Sequence, residues 1–222
     1  MSETLPLFPL GTVLFPGLLL PLHIFEDRYR QLVRDLLAEP EPRRFGVLAI
    51  REGRETGIDG VSALYQIGCT ATVRQVTERE AGRFDLVTAG TQRFRLVDLD
   101  DSRPYLQGKV DLLPDEVGDE GTAAQAAHAV QDAFRRYLSA LAARGPTQLA
   151  IPDLPDDPVL LSYLIAASMI IELHDKQSLL AEADAACRLT AERSMLSRET
   201  MMLRSLTSTP APDLRYSPYN PN

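Results

Sequence analysis

The sequence predicts an α+β fold: a β-rich, barrel-like first part carrying one packed helix, followed by a helical bundle, and three observations lead there. Prolines puncture the apolar opening segment, which bars a helix. Period-two alternation of apolar and polar residues follows through the middle of the first part. After residue 117 strand signals stop and apolar residues recur at helical spacing. These set expected boundaries at 1–117 for the β-rich part, 118–206 for the helices and 207–222 for a disordered proline-rich tail.

The opening runs Leu5-Pro6-Leu7-Phe8-Pro9-Leu10, then Leu14-Phe15-Pro16-Gly17, then Leu20-Pro21-Leu22-His23-Ile24-Phe25. Proline has no N–H and a fixed φ, so this ribbon is expected as short extended pieces broken by turns. From Tyr29 the apolar residues fall at Tyr29, Leu32, Val33, Leu36 and Leu37, the stripe of a helix with one buried face.

Phe45 to Ile50 reads as a buried strand, and the charged, glycine-bearing stretch from Arg51 to Gly60 as a mobile loop. Cys69, Ala71 and Val73 alternate with polar residues, but Val76 breaks the phase, so a bulge is expected near Arg74 to Val76. Glu80-Ala81-Gly82 offers a turn into a strand through Phe84, Leu86 and Thr88, making a hairpin of 69–88. Further strands are expected over Arg93–Leu99, with a phase change between Leu96 and Val97, and over Tyr105–Leu113. Repeated phase changes suit a curved, closing sheet.

Pro114 to Gly121 is an acidic linker. Ala126, Val130, Phe134, Tyr137 and Leu141 then mark one helix, and Asp157-Pro158 is the start of another, an N-cap acceptor followed by the residue suited to the first helical position. The apolar run Val159 to Ile171 is too short to span a membrane and reads as a core helix. A single long helix is expected from about Asp175 to Leu206.

A net charge of −8 weighs against a nucleic-acid backbone as the main partner. Early Glu3 and the interrupting prolines do not suit a signal peptide, so a cytoplasmic location is expected. Cys69 and Cys187 lack any metal or disulfide spacing and read as buried free thiols. His23, His128 and His174 are far apart with no paired-ligand motif, so neither a metal nor a cofactor is expected.

Pro6-Leu7-Phe8-Pro9-Leu10, Leu14-Phe15-Pro16-Gly17, Leu20-Pro21-Leu22 and Phe25-Glu26 with Arg28-Tyr29 resemble, in order and spacing, the opening of the Lon N-terminal domain. Phe45-Gly46-Val47, Gly68-Cys69-Thr70-Ala71, Gly90 with Arg93-Phe94-Arg95, Pro104-Tyr105, Lys176-Gln177 and Arg188-Leu189 extend the resemblance to roughly residues 4–205. It implies a PUA-like pseudo-barrel and a substrate-recognition role. Lon proteases also need a phosphate-binding loop and a Ser-Lys dyad. The only lysines, Lys109 and Lys176, fit neither motif, so no enzyme activity is expected.

The expected function is a non-catalytic module binding unfolded or hydrophobic polypeptide segments, acting with a separate Lon protease or chaperone. Leu10, Leu14, Phe15, Leu18 and Leu19 are the candidate contacts, as more apolar residues than a small barrel can hold. Glu26, Arg28 and Arg93 are candidates for a structural ion pair, with Glu26 reaching Arg93 across the barrel. Two alternatives remain: RNA binding through Arg74, Arg83, Arg93 and Arg95 on one sheet face, and binding of a small-molecule effector. The sequence leaves the oligomeric state open.

Overall fold

The computed structural model describes residues 2–53, 61–143 and 153–207. Most of the loop expected before Gly60 and the tail expected after Thr207 lie outside the described residues. The first part contains β1 (Ser2–Leu10), β2 (Leu19–Ile24), α1 (Asp27–Ala38), β3 (Arg44–Gly53), β4 (Val61–Leu64), β5 (Ile67–Arg79), β6 (Arg83–Asp100) and β7 (Gln107–Leu112). The helices α2 (Glu120–Ala142), α3 (Pro158–Ser168), α4 (Leu173–Ala181) and α5 (Ala185–Thr207) follow.

The strand path β1-β7-β6-β5-β3 returns to β1 through a parallel pairing that sets Leu7 opposite Gly46 and Leu10 opposite Ala49, so five strands form a ring. The other ladders between strands are antiparallel, with β4 on the edge of β3 and β2 on the edge of β6. Register shifts bend the ring between Val73 and Gln75 on β5 and between Leu96 and Asp98 on β6. Both fall where the alternation of the sequence slips, because an extra residue must be absorbed to keep apolar side chains inward. The two strands expected before and after Gly90 are one, running unbroken for 18 residues.

Helix α1 closes the barrel with the stripe read from its sequence: Tyr29, Leu32, Val33 and Leu36 are buried, and the Tyr29 ring stacks on Phe8 at 4.1 Å. A second apolar cluster joins Val130, Phe134, Leu161, Ile165, Leu179, Leu189 and Leu196 of the helices, and Phe15 is part of it. The helices therefore share their core with the opening ribbon. Asp157 caps α3, accepting the N–H groups of Val159 at 2.8 Å and Leu160 at 3.0 Å.

The single helix expected from Asp175 to Leu206 is two, broken at Glu182 to Asp184. Asp184 starts α5 by accepting the Cys187 N–H at 2.8 Å, an N-cap bond that a continuous helix would forbid. Among the described residues, no helix is long and apolar enough to cross a membrane.

Candidate functional site

Strand β7 is shorter than its two neighbours, and that difference opens the molecule. It covers β1 only over Ser2–Pro6 and β6 only over Phe94–Asp100. Where it runs out, β2 takes its place along β6, from Phe84 to Ala89, while among the described residues the end of β1 gains no strand partner on that side. A cleft of about 200 Å³ remains between the two strands, lined by Phe8, Pro9 and Leu10 on one lip and Pro21, His23 and Phe25 on the other.

Ladder alternation fixes which backbone groups face this cleft. The Leu7 N–H goes to the Leu106 carbonyl at 2.8 Å, away from β3, so Pro9, two residues on, is turned the same way. The Gly90 N–H goes to the Leu18 carbonyl at 2.8 Å, so Leu20, Leu22 and Ile24 address β6 while Leu19, Pro21, His23 and Phe25 address the open side. Each lip thus carries a proline where an N–H would otherwise point into the gap. The lips cannot zip together through those positions, and the edge is guarded against indiscriminate pairing.

Along β2 the outward side chains are apolar except for His23. Leu19 is 68% exposed and Phe25 is 52% exposed, with the His23 ring 6.2 Å from that of Phe25. His23 Nδ1 lies 2.6 Å from Asp85 Oδ1, and Arg79 Nε donates to Asp85 Oδ2 at 2.6 Å. Those two bonds, that to His23 first, hold the exposed Asp85 carboxyl below the usual carboxylate range.

Of the five contact residues expected from the sequence, Leu19 is exposed and Leu18 is half-buried against both large clusters. Leu10, Leu14 and Phe15 are buried, the last with 1% of its surface accessible, and cannot serve as a free apolar surface. The chain crosses β6 at Gly90 and turns Phe15 into the helical core, where its ring lies 6.3 Å from that of Tyr163. Pro21, His23 and Phe25 were missed. The signal for them was the alternation of β2 itself, whose other face, Leu20, Leu22 and Ile24, packs inward.

The ion pair expected between Glu26 and Arg93 does not form. Glu26 pairs with Arg28 at 3.0 Å, at the start of α1. Its neighbour Ile24 lies opposite Phe84, and nine residues of extended strand, roughly 30 Å, separate that point from Arg93.

Arg93 instead enters the junction of barrel and helices, 2% exposed, with Nε 3.2 Å from Asp115 Oδ1. Its remaining N–H groups reach the carbonyls of Pro114, Leu180, Glu182 and Ala183 at 3.1, 3.0, 2.5 and 3.2 Å. It therefore cannot share a solvent-facing basic surface with Arg74, Arg83 and Arg95, which are exposed.

Arg188 enters the same junction from α5. It donates to the carbonyls of Leu179 at 2.9 Å and Glu182 at 3.2 Å, and to Ser162 Oγ at 2.9 Å. Its guanidinium lies 4.3 Å from the centre of the Tyr163 ring, whose hydroxyl donates to Asp115 at 2.5 Å. Two buried arginines, one from each part of the molecule, thus grip the turn between α4 and α5. Among the described residues, no group of three or more His, Cys, Asp or Glu side chains is placed to hold a metal.

The fold defines an α+β domain, a bent, mostly antiparallel barrel joined to helices through a buried polar centre. The chain belongs to the family described as the ATP-dependent protease La (LON) substrate-binding domain, matched over residues 4–198. It is 28% identical over 208 residues to Lon protease 2 of Myxococcus xanthus, and 26% identical over 201 residues to Lon protease of Escherichia coli K12. These alignments cover 92% and 90% of the chain but only 24% and 25% of those proteins. The chain thus spans about a quarter of the length of these relatives.

Among solved structures, it resembles the Lon N-terminal domain protein from Xanthomonas campestris with a TM-score of 0.60 and 24% identity, covering 94% of this chain and 99% of that one. It also resembles the N-terminal domain of the Mycobacterium avium complex Lon protease, with a TM-score of 0.62 and 19% identity over 88% and 98% of the two chains. At these identities the likeness establishes the fold.

Proposed function

We propose that this protein is a non-catalytic recognition module that binds extended, apolar segments of unfolded polypeptides along the open edge of β2. The observation that carries the reading is the cleft between two strand edges that no strand covers among the described residues, with Leu19 and Phe25 exposed beside it. An extended chain laid against β2 meets outward backbone groups at Leu19 and His23, beside the exposed side chains of Leu19 and Phe25. Recognition through the backbone tolerates many sequences, as binding of unfolded clients requires. Pro9 and Pro21 limit the ladder that can form, which suits weak, reversible capture. The relatives are proteases that continue well beyond the region matched here, so delivery of captured segments to a separate protease or chaperone is part of the proposal.

The test is binding of a chemically unfolded, apolar model polypeptide by fluorescence anisotropy. Leu19→Asp and Phe25→Asp are expected to weaken it about tenfold or more together, the scale of one or two lost contact residues. Both variants should retain the parent melting curve. Unchanged affinity in the double variant overturns the site, and no binding by the parent overturns the function.

A further inference from the structure

Glu192 has no place in the recognition site, and its setting is unusual. It lies on the buried stripe of α5 between Leu189 and Leu196, with 0% of its surface accessible. Among the described residues neither carboxylate oxygen has a hydrogen-bond partner. A buried carboxylate without donors is costly when ionised, so burial favours the neutral acid.

The charged group that acts on it is Arg188, one helical turn earlier on α5. At that spacing the two side chains are neighbours, and an ionised glutamate would be an apt partner for the guanidinium. The guanidinium points elsewhere, to the carbonyls of Leu179 and Glu182 and to Ser162 Oγ. The elements packed on α5 carry further ionisable groups, Lys176 of α4 among them, whose Nζ donates to the Ala167 carbonyl at 3.2 Å. Tyr137 comes from α2 and Tyr163 from α3, both held above the usual tyrosine range by burial. Asp175 of α4 is paired with Arg198 at 2.7 Å, and Arg93 and Asp115 lie beyond Arg188 at the junction with the barrel.

We propose that Glu192 and Arg188 form a proton-operated catch on the junction between barrel and helices. With Glu192 protonated, Arg188 holds the turn between α4 and α5. When Glu192 gives its proton to solvent, the carboxylate draws the guanidinium along α5, and the carbonyls of Leu179 and Glu182 lose the bonds that Arg188 supplies, Glu182 keeping only the one from Arg93. Arg93 grips the same turn from β6, so loosening it changes how tightly the two parts of the molecule are held together.

Hydrogen exchange of the whole protein, read by mass spectrometry from about pH 5 to about pH 9 and corrected for intrinsic exchange, tests the catch. In the parent, opening of the segment Glu182–Arg188 should rise with pH, approaching about tenfold per unit where one proton is released on opening. Glu192→Gln keeps the shape and removes the proton, so its corrected profile should be flat. Infrared difference spectra should show a carboxylic acid that stays protonated above the usual glutamate range in the parent and none in the variant. A pH-independent parent, or the same slope in Glu192→Gln, overturns the catch. If the variant folds poorly, the parent decides alone: an infrared acid band that disappears within the usual glutamate range, with none persisting above it, also overturns the catch.

Discussion

Arg93 and Asp115 hold the barrel to the helices, the guanidinium Nε 3.2 Å from a carboxylate oxygen that also accepts the Tyr163 hydroxyl at 2.5 Å. The pair is built into a buried centre, and removing Arg93 takes one donor from the carboxylate and one from each of four backbone carbonyls. Arg93→Met should cost about 3–5 kcal/mol, the usual consequence of breaking a buried pair from one side. Glu26→Ala, which removes a pair nearer the surface, should cost about 1 kcal/mol or less. Urea denaturation of the two variants measures the contrast, and equal losses would contradict the placement of Arg93.

What the sequence made legible was local. The α1 stripe, the Asp157 cap and the two strand bulges follow from residues within a few positions of one another, so spacing alone locates them. Phe15 and Leu19, by contrast, are four residues apart and equally apolar, yet one is 1% exposed and the other 68%. Their difference is decided by the crossing at Gly90 and by the short β7, both products of distant pairing. The partner of Arg93 was hidden for the same reason, since Leu180 to Ala183 lie almost ninety residues further along the chain. The break between α4 and α5 had a readable signal in Asp184, but the surrounding residues also suit an unbroken helix.

The crossing at Gly90 leaves no space for a side chain. A Cβ there would sit 2.3 Å from the Phe15 carbonyl oxygen, and the Gly90 N–H and carbonyl also bond Leu18 and Gly17. Gly90→Ala must push the ribbon away, at a cost of about 1–3 kcal/mol or more. Because the ribbon leads into β2, the variant should also bind unfolded polypeptide less tightly than its loss of stability explains. Calorimetry and anisotropy on the same sample separate the two effects.

The two cysteines should differ sharply in reactivity. Cys69 is fully buried, and burial pushes its thiol up to about 12, so almost no thiolate forms at neutral pH. Cys187, expected from the sequence to be buried, is exposed, though its hydrogen bond to Asp184 raises it as well. An alkylating reagent should modify Cys187 alone in the native protein, slowly, and both residues in denaturant. Peptide mapping by mass spectrometry checks this, and native labelling of Cys69 would show that the barrel opens readily.

Stability should fall on both sides of a maximum, for different reasons. Asp35 accepts hydrogen bonds from Tyr105 at 2.7 Å and Gln31 at 2.7 Å, and the Tyr105 bond above all holds its carboxyl below the usual range. A carboxylate so favoured contributes stability above its unfolded value, about 4, and that contribution is lost as pH falls through the lower folded value. Glu192 has the opposite sign. Its acid is raised well above the ordinary glutamate value by burial, so its contribution is complete below the unfolded value and is lost as pH rises toward the folded one. The slope on that limb should reach at most about 1.4 kcal/mol per pH unit for a single proton. Urea denaturation across pH should therefore show Asp35→Asn flattening the acid limb and Glu192→Gln flattening the limb above it. Exchanged effects, with Asp35→Asn altering only the higher limb, would contradict both assignments.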